Sequence, residues 1–278
     1  MNANSDNSRD APSRWTAIVA VHNDESVLKS TFLRSPALKR AARVIVKSGF
    51  RSVATAYNAA ICECPDEVLV FAHPDVYLPA RWSMDFEESL AWLDRNDPNW
   101  GVLGLYGVNG EGAGRGFTYS TGIGGFVGVP ISSPCVVRTL DEFVFVLRKR
   151  SGLTLDENIP GPQSQLCTTD VCLEAERQGL RSYVLPCFAL HNSNRWSHLP
   201  LGFWRPYLFI RKKWRTALPI QVPYAFISAF CWPMLKSTLK LFVQRRFRSH
   251  RIATRVADPG SLYDQLRQNL LTLFGDNS

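Results

Sequence analysis

The sequence predicts an α/β protein with a mostly parallel sheet, helices on both faces, and a basic, aromatic helical appendage at the C-terminal end. Three observations predict it. Apolar runs of strand length alternate with stretches of helical spacing. The runs are continuously apolar, as expected of strands covered on both faces. Polar residues (Asn23, Lys47 and Asp75) follow three of them, at the strand ends where such sheets bind ligands.

The elements follow in order. Residues 1–13 are polar and read as a disordered tail. Thr16 to Val21 is a buried strand that runs into His22-Asn23-Asp24. Ser26 to Leu38 has helical spacing. Arg43 to Val46 is a second strand, closed by Lys47-Ser48-Gly49. Ser52 to Cys62 puts Val53, Tyr57, Ala60 and Ile61 on one helical face. Glu67 to Ala72 is the third strand, with His73-Pro74-Asp75 at its carboxyl end. Trp82 to Leu93 reads as an amphipathic helix and Trp100 to Leu105 as a fourth strand. The glycine-rich stretch from Gly107 to Gly128 carries no P-loop and no strand–GxGxxG–helix unit, so it reads as a mobile loop or short hairpin over the site. Short strands follow at 126–129 and 135–137. Thr139 to Leu147 is another apolar run, interrupted by Asp141 and Glu142. Thr168 to Leu180 reads as a helix, capped by Thr168 or Thr169 and ended at Gly179. Ser182 to Pro186 is the last strand, leading to His191. Residues 14–200 thus form one catalytic-sized domain, 201–256 a basic and apolar helical segment, and 257–278 a tail helix.

With 278 residues and 45% hydrophobic content, the chain can bury a substantial core. The seven cysteines include no CxxC pair, which argues against a cysteine zinc site. Their odd number, and an N-terminus without a basic start before an apolar segment, read as reduced thiols in a cytoplasmic protein. Net charge is +8, unevenly spread. No Asp or Glu occurs from Arg177 to Ala257, leaving the rest of the chain net acidic. A basic surface of this kind meets phosphates. Residues 217–235 carry no charge, but Pro219, Pro223 and Pro233 interrupt them, against a plain membrane span. From Met234 to Phe247 the apolar residues share one helical face, with Lys and Arg elsewhere. That pattern suits either an ordinary packed surface helix or peripheral membrane contact through residues 204–248, at the inner face of a membrane. The basic residues flank an apolar run and do not form an open basic face, so nucleic acid is not an expected partner.

Asp75 directly follows a buried strand, where a carboxylate can hold Mg²⁺ or Mn²⁺ against a diphosphate. His73 lies two residues earlier, and His191 follows the last strand. Imidazole beside carboxylate favours Mn²⁺ over Mg²⁺. Asp170 lies in the first turn of a helix, where the helix dipole favours its charge; the alternative reading is a general base that takes the proton of an attacking sugar hydroxyl.

In this order the motifs resemble the family 2 glycosyltransferases of GT-A fold, a Rossmann-like architecture. They are most similar to the short glycosyltransferase-like group with His-x-Asp in place of Asp-x-Asp. The matches are Ser52, Ala56-Tyr57-Asn58, His73-Pro74-Asp75, Gly101-Val102-Leu103-Gly104, Asp141 to Lys149, Thr168 to Leu173 and His191. The resemblance spans roughly Trp15 to Trp214. It implies an inverting transferase that takes a nucleotide-diphospho-sugar donor and a glycan or lipid-linked acceptor. Asp75 and His191 would hold the metal, and Asp170 would be the catalytic base. Asn23, Ser52, Asn58 and His73 would line the donor site, with Arg205 and Arg211 meeting the diphosphate. Lys47-Ser48-Gly49 stands where relatives carry an acid that reads the base, and Gln165-Leu166-Cys167 replaces their aromatic and acidic residues. A non-catalytic sugar-nucleotide-binding or scaffold protein is the alternative. A zinc hydrolase using His73, Asp75 and His191 lacks any HExxH-like spacing.

Overall fold

The structure is a computed structural model, described here for residues 15–21, 25–163, 165–194, 201–232, 234–236, 238–239 and 254–274. The tail 1–13 and Asn23 lie outside the described residues.

The central sheet has seven strands. They are β1 (Trp15–Val21), β2 (Arg43–Ser48), β3 (Val68–Ala72), β5 (Trp100–Gly104), β9 (Cys135–Val137), β11 (Val144–Arg148) and β12 (Arg181–Val184), ordered β2-β1-β3-β11-β5-β12-β9. β1 pairs in parallel with β2 and β3, and β12 in parallel with β5. β11 runs antiparallel between β3 and β5, and β9 antiparallel to β12. Five strands therefore point one way, and the sheet is mostly parallel as expected.

Residues alternate between two cores, because successive strand side chains face opposite ways. Ile18, Leu69, Phe71, Phe145 and Leu147 face α2 (Val53–Glu63), α4 (Cys167–Arg177) and α5 (Trp204–Lys213). Trp15, Ala17, Val19, Val70, Val144 and Val146 face α1 (Glu25–Ser30) and α3 (Ala80–Asn96). On that second face Trp15, Trp82 and Phe86 are fully buried, with Trp82 and Phe86 stacked at 4.8 Å and Trp15 edge-on to Trp82 at 5.4 Å. Each such side chain contributes about 3 kcal/mol by burial.

A second sheet crosses the ends of the first. It holds β4 (Val76–Tyr77), β6 (Tyr106–Val108), β7 (Gly114–Ser120), β10 (Thr139–Leu140) and β13 (Leu190–His191), ordered β10-β6-β7-β13-β4, with β8 (Gly125–Val129) on β7. The glycine-rich stretch is thus a paired hairpin plus β8. Its glycines permit close backbone approach: a Cβ on Gly116, at φ +99°, would lie 2.1 Å from the Leu105 carbonyl oxygen. The run 139–147 divides between the two sheets, and the turn at Asp141–Glu142 is the crossing point. The expected helix 26–38 is α1 followed by two short 3₁₀ turns, Phe32–Arg34 and Pro36–Arg40. Pro36 lacks the N–H a continuous α-helix needs there, so the chain tightens and stops.

After α5, β14 (Ile220–Val222) and β15 (Ala225–Ile227) form a small hairpin. The C-terminal helix Pro259–Phe274 returns to the second sheet, where Leu266 packs with Tyr77 and Leu190. No helix among the described residues is long and apolar enough to cross a membrane.

Candidate metal and donor site

β3 ends at Ala72, and the His73 N–H donates to the Phe143 carbonyl at 2.9 Å, fixing the crossing of β3 and β11. The chain then turns through Pro74, with the Val76 N–H on the His73 carbonyl at 3.2 Å. This turn feeds β4, which pairs antiparallel with β13 so that Val76 faces His191. The Asn192 N–H closes on the Asp75 carbonyl at 2.7 Å. Two segments distant in sequence are thereby locked side by side, and His73, Asp75 and His191 converge.

Their ligand atoms all lie within 4.8 Å of one another. His191 Nε2 sits 3.3 Å from Asp75 Oδ1. The His191 ring stacks on Phe143 (5.3 Å, 15°) and meets His73 edge-on at 5.8 Å. One divalent ion with bonds of about 2.2 Å holds ligand atoms roughly 3–4.4 Å apart, so the three groups would close on a single cation with a shift of a few tenths of an ångström. The buried carboxylate with two imidazoles fits Mn²⁺ better than Mg²⁺.

The electrostatics support the same use. Burial pushes His73 below its ordinary pKa, leaving a neutral ring suited to metal ligation. Burial alone would push Asp75 up, but His191, His73 and Arg255 outweigh it and hold the carboxyl well below its usual range. His191 is pulled the other way, above its ordinary value, because Asp75 more than offsets burial. A cation bound here would displace that proton.

Arg255 was not singled out by sequence reasoning, yet its Nη2 lies 3.1 Å from Asp75 Oδ2. Its Nε donates to the Asn192 carbonyl at 3.1 Å, and its backbone N–H to Asn194 Oδ1 at 3.2 Å. Asn192 pairs reciprocally with the Val256 backbone at 2.8 and 2.9 Å. The only sequence signal for Arg255 was its membership of the acid-free stretch. Glu142 is a second such residue: one carboxylate oxygen is sealed from solvent without a partner among the described residues. Burial pushes its pKa up to about 8 and Asp141 adds to the rise, while Tyr224 and the backbone N–H groups of Leu166 and Cys167 favour the ionised form without offsetting it. Leu166, at φ +68°, holds a left-handed conformation costly for a leucine. The signal for Glu142 was an acid inside an apolar run.

The other expected residues make their contacts elsewhere. Ser52 caps α2, accepting from the Thr55 N–H at 3.2 Å. Asn58 clamps Leu155 from both sides, donating at 2.8 Å and accepting at 2.9 Å, and also donates to Glu157. Arg205 is exposed in the first turn of α5. Arg211 donates to the carbonyls of Ser228 (3.0 Å) and Ala229. Asp170 is 2% exposed and accepts from Lys213 Nζ at 2.8 Å and Trp214 Nε1 at 2.7 Å. Burial raises its pKa against the pull of both donors.

No family model matches the sequence. A stretch of 136 residues is 27% identical to "ATP synthase subunits region ORF 6" of Fuscovulum blasticum, covering 48% of this chain and 53% of that protein. The chain therefore spans about half the length of the curated relative it matches. Among solved structures it is similar to the mannosyltransferase PcManGT from Pyrobaculum calidifontis in complex with GDP-Man and Mn²⁺, at 13% identity over 93% of this chain and 80% of that one, with a TM-score of 0.46. It is also similar to S. aureus TarS 1–349 (15% identity, 72% of this chain, 65% of that one, TM-score 0.44). A third is GalNAc-T7 with UDP, GalNAc and Mn²⁺ (11% identity, 64% and 42%, TM-score 0.41).

Proposed function

We propose that this protein is a metal-assisted, inverting glycosyltransferase that takes a nucleotide-diphospho-sugar and passes the sugar to a hydroxyl of a glycan or lipid-linked saccharide. The observation that carries the reading is the cluster of His73, Asp75 and His191 at the carboxyl end of β3, where sheets of this kind bind ligands. The ordered motif resemblance supports it. Asp75 and His191 hold Mn²⁺ or Mg²⁺, with His73 on the donor side. A bound cation supplies Lewis-acid stabilisation of the departing diphosphate. Asp170 takes the acceptor proton, its carboxylate oriented by Lys213 and Trp214. A thermal-shift screen of GDP-, UDP-, ADP-, CDP- and dTDP-sugars with and without Mn²⁺ tests the reading, because ligand binding raises the midpoint. A metal-dependent rise with at least one donor is expected; no rise with any donor contradicts the reading.

The engagement of both Asp170 oxygens favours a second reading, a protein that binds a sugar nucleotide without turning it over. Donor binding with no hydrolysis and no transfer to any acceptor would select it.

The C-terminal segment works, in this proposal, at the inner face of a membrane in the cytoplasm. Phe230 (78%), Trp232 (69%), Leu239 (62%) and Leu235 (50%) are exposed beside the exposed Lys236. Apolar side chains flanked by cations suit an anionic bilayer surface. Trp232→Ser is expected to reduce cosedimentation with phosphatidylglycerol-containing vesicles several-fold and to leave binding to neutral vesicles weak; unchanged cosedimentation removes this surface from the proposal.

A further inference from the structure

Both oxygens of Asp75 already have partners. Oδ1 faces His191 Nε2 at 3.3 Å and Oδ2 faces Arg255 Nη2 at 3.1 Å. A cation that takes this carboxylate must therefore share it with, or remove it from, a guanidinium that does not deprotonate. Arg255 lies 180 positions from Asp75 in sequence and reaches it from a strap that is independently anchored. The Asn192–Val256 pair and the Asn194 bond hold the strap backbone, and the C-terminal helix beyond it is docked on the second sheet. Only the tip of the side chain must move to release Asp75. The guanidinium has five N–H donors; among the described residues Nε and one Nη2 hydrogen are used, leaving three. The side chain is 33% exposed, so a ligand entering the site can reach it. A fork of free donors beside a cation site matches the oxygens of a diphosphate, which Arg binds bidentately.

We propose that Arg255 couples the two ligands of this site: it pairs with Asp75 in the free protein and passes to the diphosphate of a bound nucleotide, so that its presence weakens the binding of a divalent cation alone and strengthens the binding of cation and nucleoside diphosphate together. The inference rests on the proposed function and adds to it the residue that makes ligand binding concerted. The physical reason is charge balance. A divalent cation placed against Asp75 meets a neighbouring positive charge and loses part of its attraction. A diphosphate brings enough negative charge to satisfy cation and guanidinium together. Linkage makes the effect reciprocal, since each ligand tightens the other by the same factor.

The test is isothermal titration of the full chain with Mn²⁺ alone, with UDP and GDP alone, and with each nucleotide at saturating Mn²⁺. Wild type, Arg255→Gln and Arg255→Lys are compared after thermal melts show that all three fold. Arg255→Gln is expected to bind Mn²⁺ alone at least threefold tighter and the nucleoside diphosphate at saturating Mn²⁺ at least tenfold weaker. Its coupling factor should fall at least tenfold, with Arg255→Lys recovering part of it. If wild type binds a nucleoside diphosphate and Arg255→Gln shows the same coupling factor, the role of Arg255 is overturned while the proposed function stands. If wild type binds neither UDP nor GDP at saturating Mn²⁺, the coupling is overturned together with the donor reading.

Discussion

Glu142 offers a quantitative prediction that is independent of any activity. Its carboxyl stands at about 8, against an ordinary 4.5, because burial penalises the ionised form and Asp141 repels it. Tyr224 and the Leu166 and Cys167 N–H groups oppose the shift without cancelling it, and Cys167 and Tyr224 are themselves raised, partly by Glu142. The unfolded chain releases this proton near the ordinary carboxylate pKa, whereas the folded protein keeps it to about pH 8. Between those values the folded state binds more protons, so its stability falls as pH rises, and above pH 8 the loss is complete. At about 1.4 kcal/mol per pH unit the loss reaches at most ~5 kcal/mol. One carboxylate oxygen is sealed but the residue as a whole is half-buried, so solvent screening brings the expected effect to about 2–3 kcal/mol. Glu142→Gln keeps the shape and abolishes the titration. Urea unfolding of both proteins from pH 5 to pH 8.5 should show the variant gaining about 2–3 kcal/mol relative to wild type by pH 8. A difference flat to within about 0.5 kcal/mol across that range refutes the reasoning.

Three further outcomes are expected. Asp75→Asn leaves His191 and Arg255 without their counter-charge; it should abolish Mn²⁺ binding in a calorimetric titration and cost about 1–3 kcal/mol of stability. Asp170→Asn should cost about 2 kcal/mol in urea unfolding, because Lys213 and Trp214 lose their acceptor, and should lower transfer by roughly 10²–10⁴-fold if the residue takes the acceptor proton; a stability loss with normal transfer would leave it an anchor of α5 on α4. Gly116→Ala forces a Cβ against the Leu105 carbonyl at positive φ, so a loss of at least about 3 kcal/mol is expected by thermal or urea melt, read in soluble protein.

Strand positions were legible because continuous apolar runs have few other uses in a chain this size. The two-sided core was legible for the same reason, since Trp15 and Ile18 fall on opposite faces by simple alternation. Asp75 could be singled out because it closes the turn at the end of an apolar strand, and His191 because it comes soon after the last apolar strand the sequence displays. Their convergence could not, because it depends on the β4–β13 pair, which is two residues long and leaves no periodic signal. The glycine-rich hairpin was read only as a loop or hairpin, since its role depends on backbone approaches that sequence does not display. Ser52 and Asn58 are polar residues whose partners lie on the protein itself, an outcome set by tertiary packing and invisible to residue type. Arg255 was hidden among the other cations of the acid-free stretch; only the strap that Asn192 holds separates it from them. Glu142 was visible as a charge in an apolar run, but its missing partner is a property of the crossing between the two sheets.

In the proposed function the His73, Asp75 and His191 cluster activates a nucleotide-diphospho-sugar. Its most direct test is ³¹P NMR of nucleotide sugars incubated with high concentrations of protein and Mn²⁺, following release of the nucleoside diphosphate. The expected result is release from at least one donor by wild type, abolished both by chelation and by Asp75→Asn. Release that persists undiminished in Asp75→Asn, or no release from any donor by a wild type that binds Mn²⁺, contradicts it.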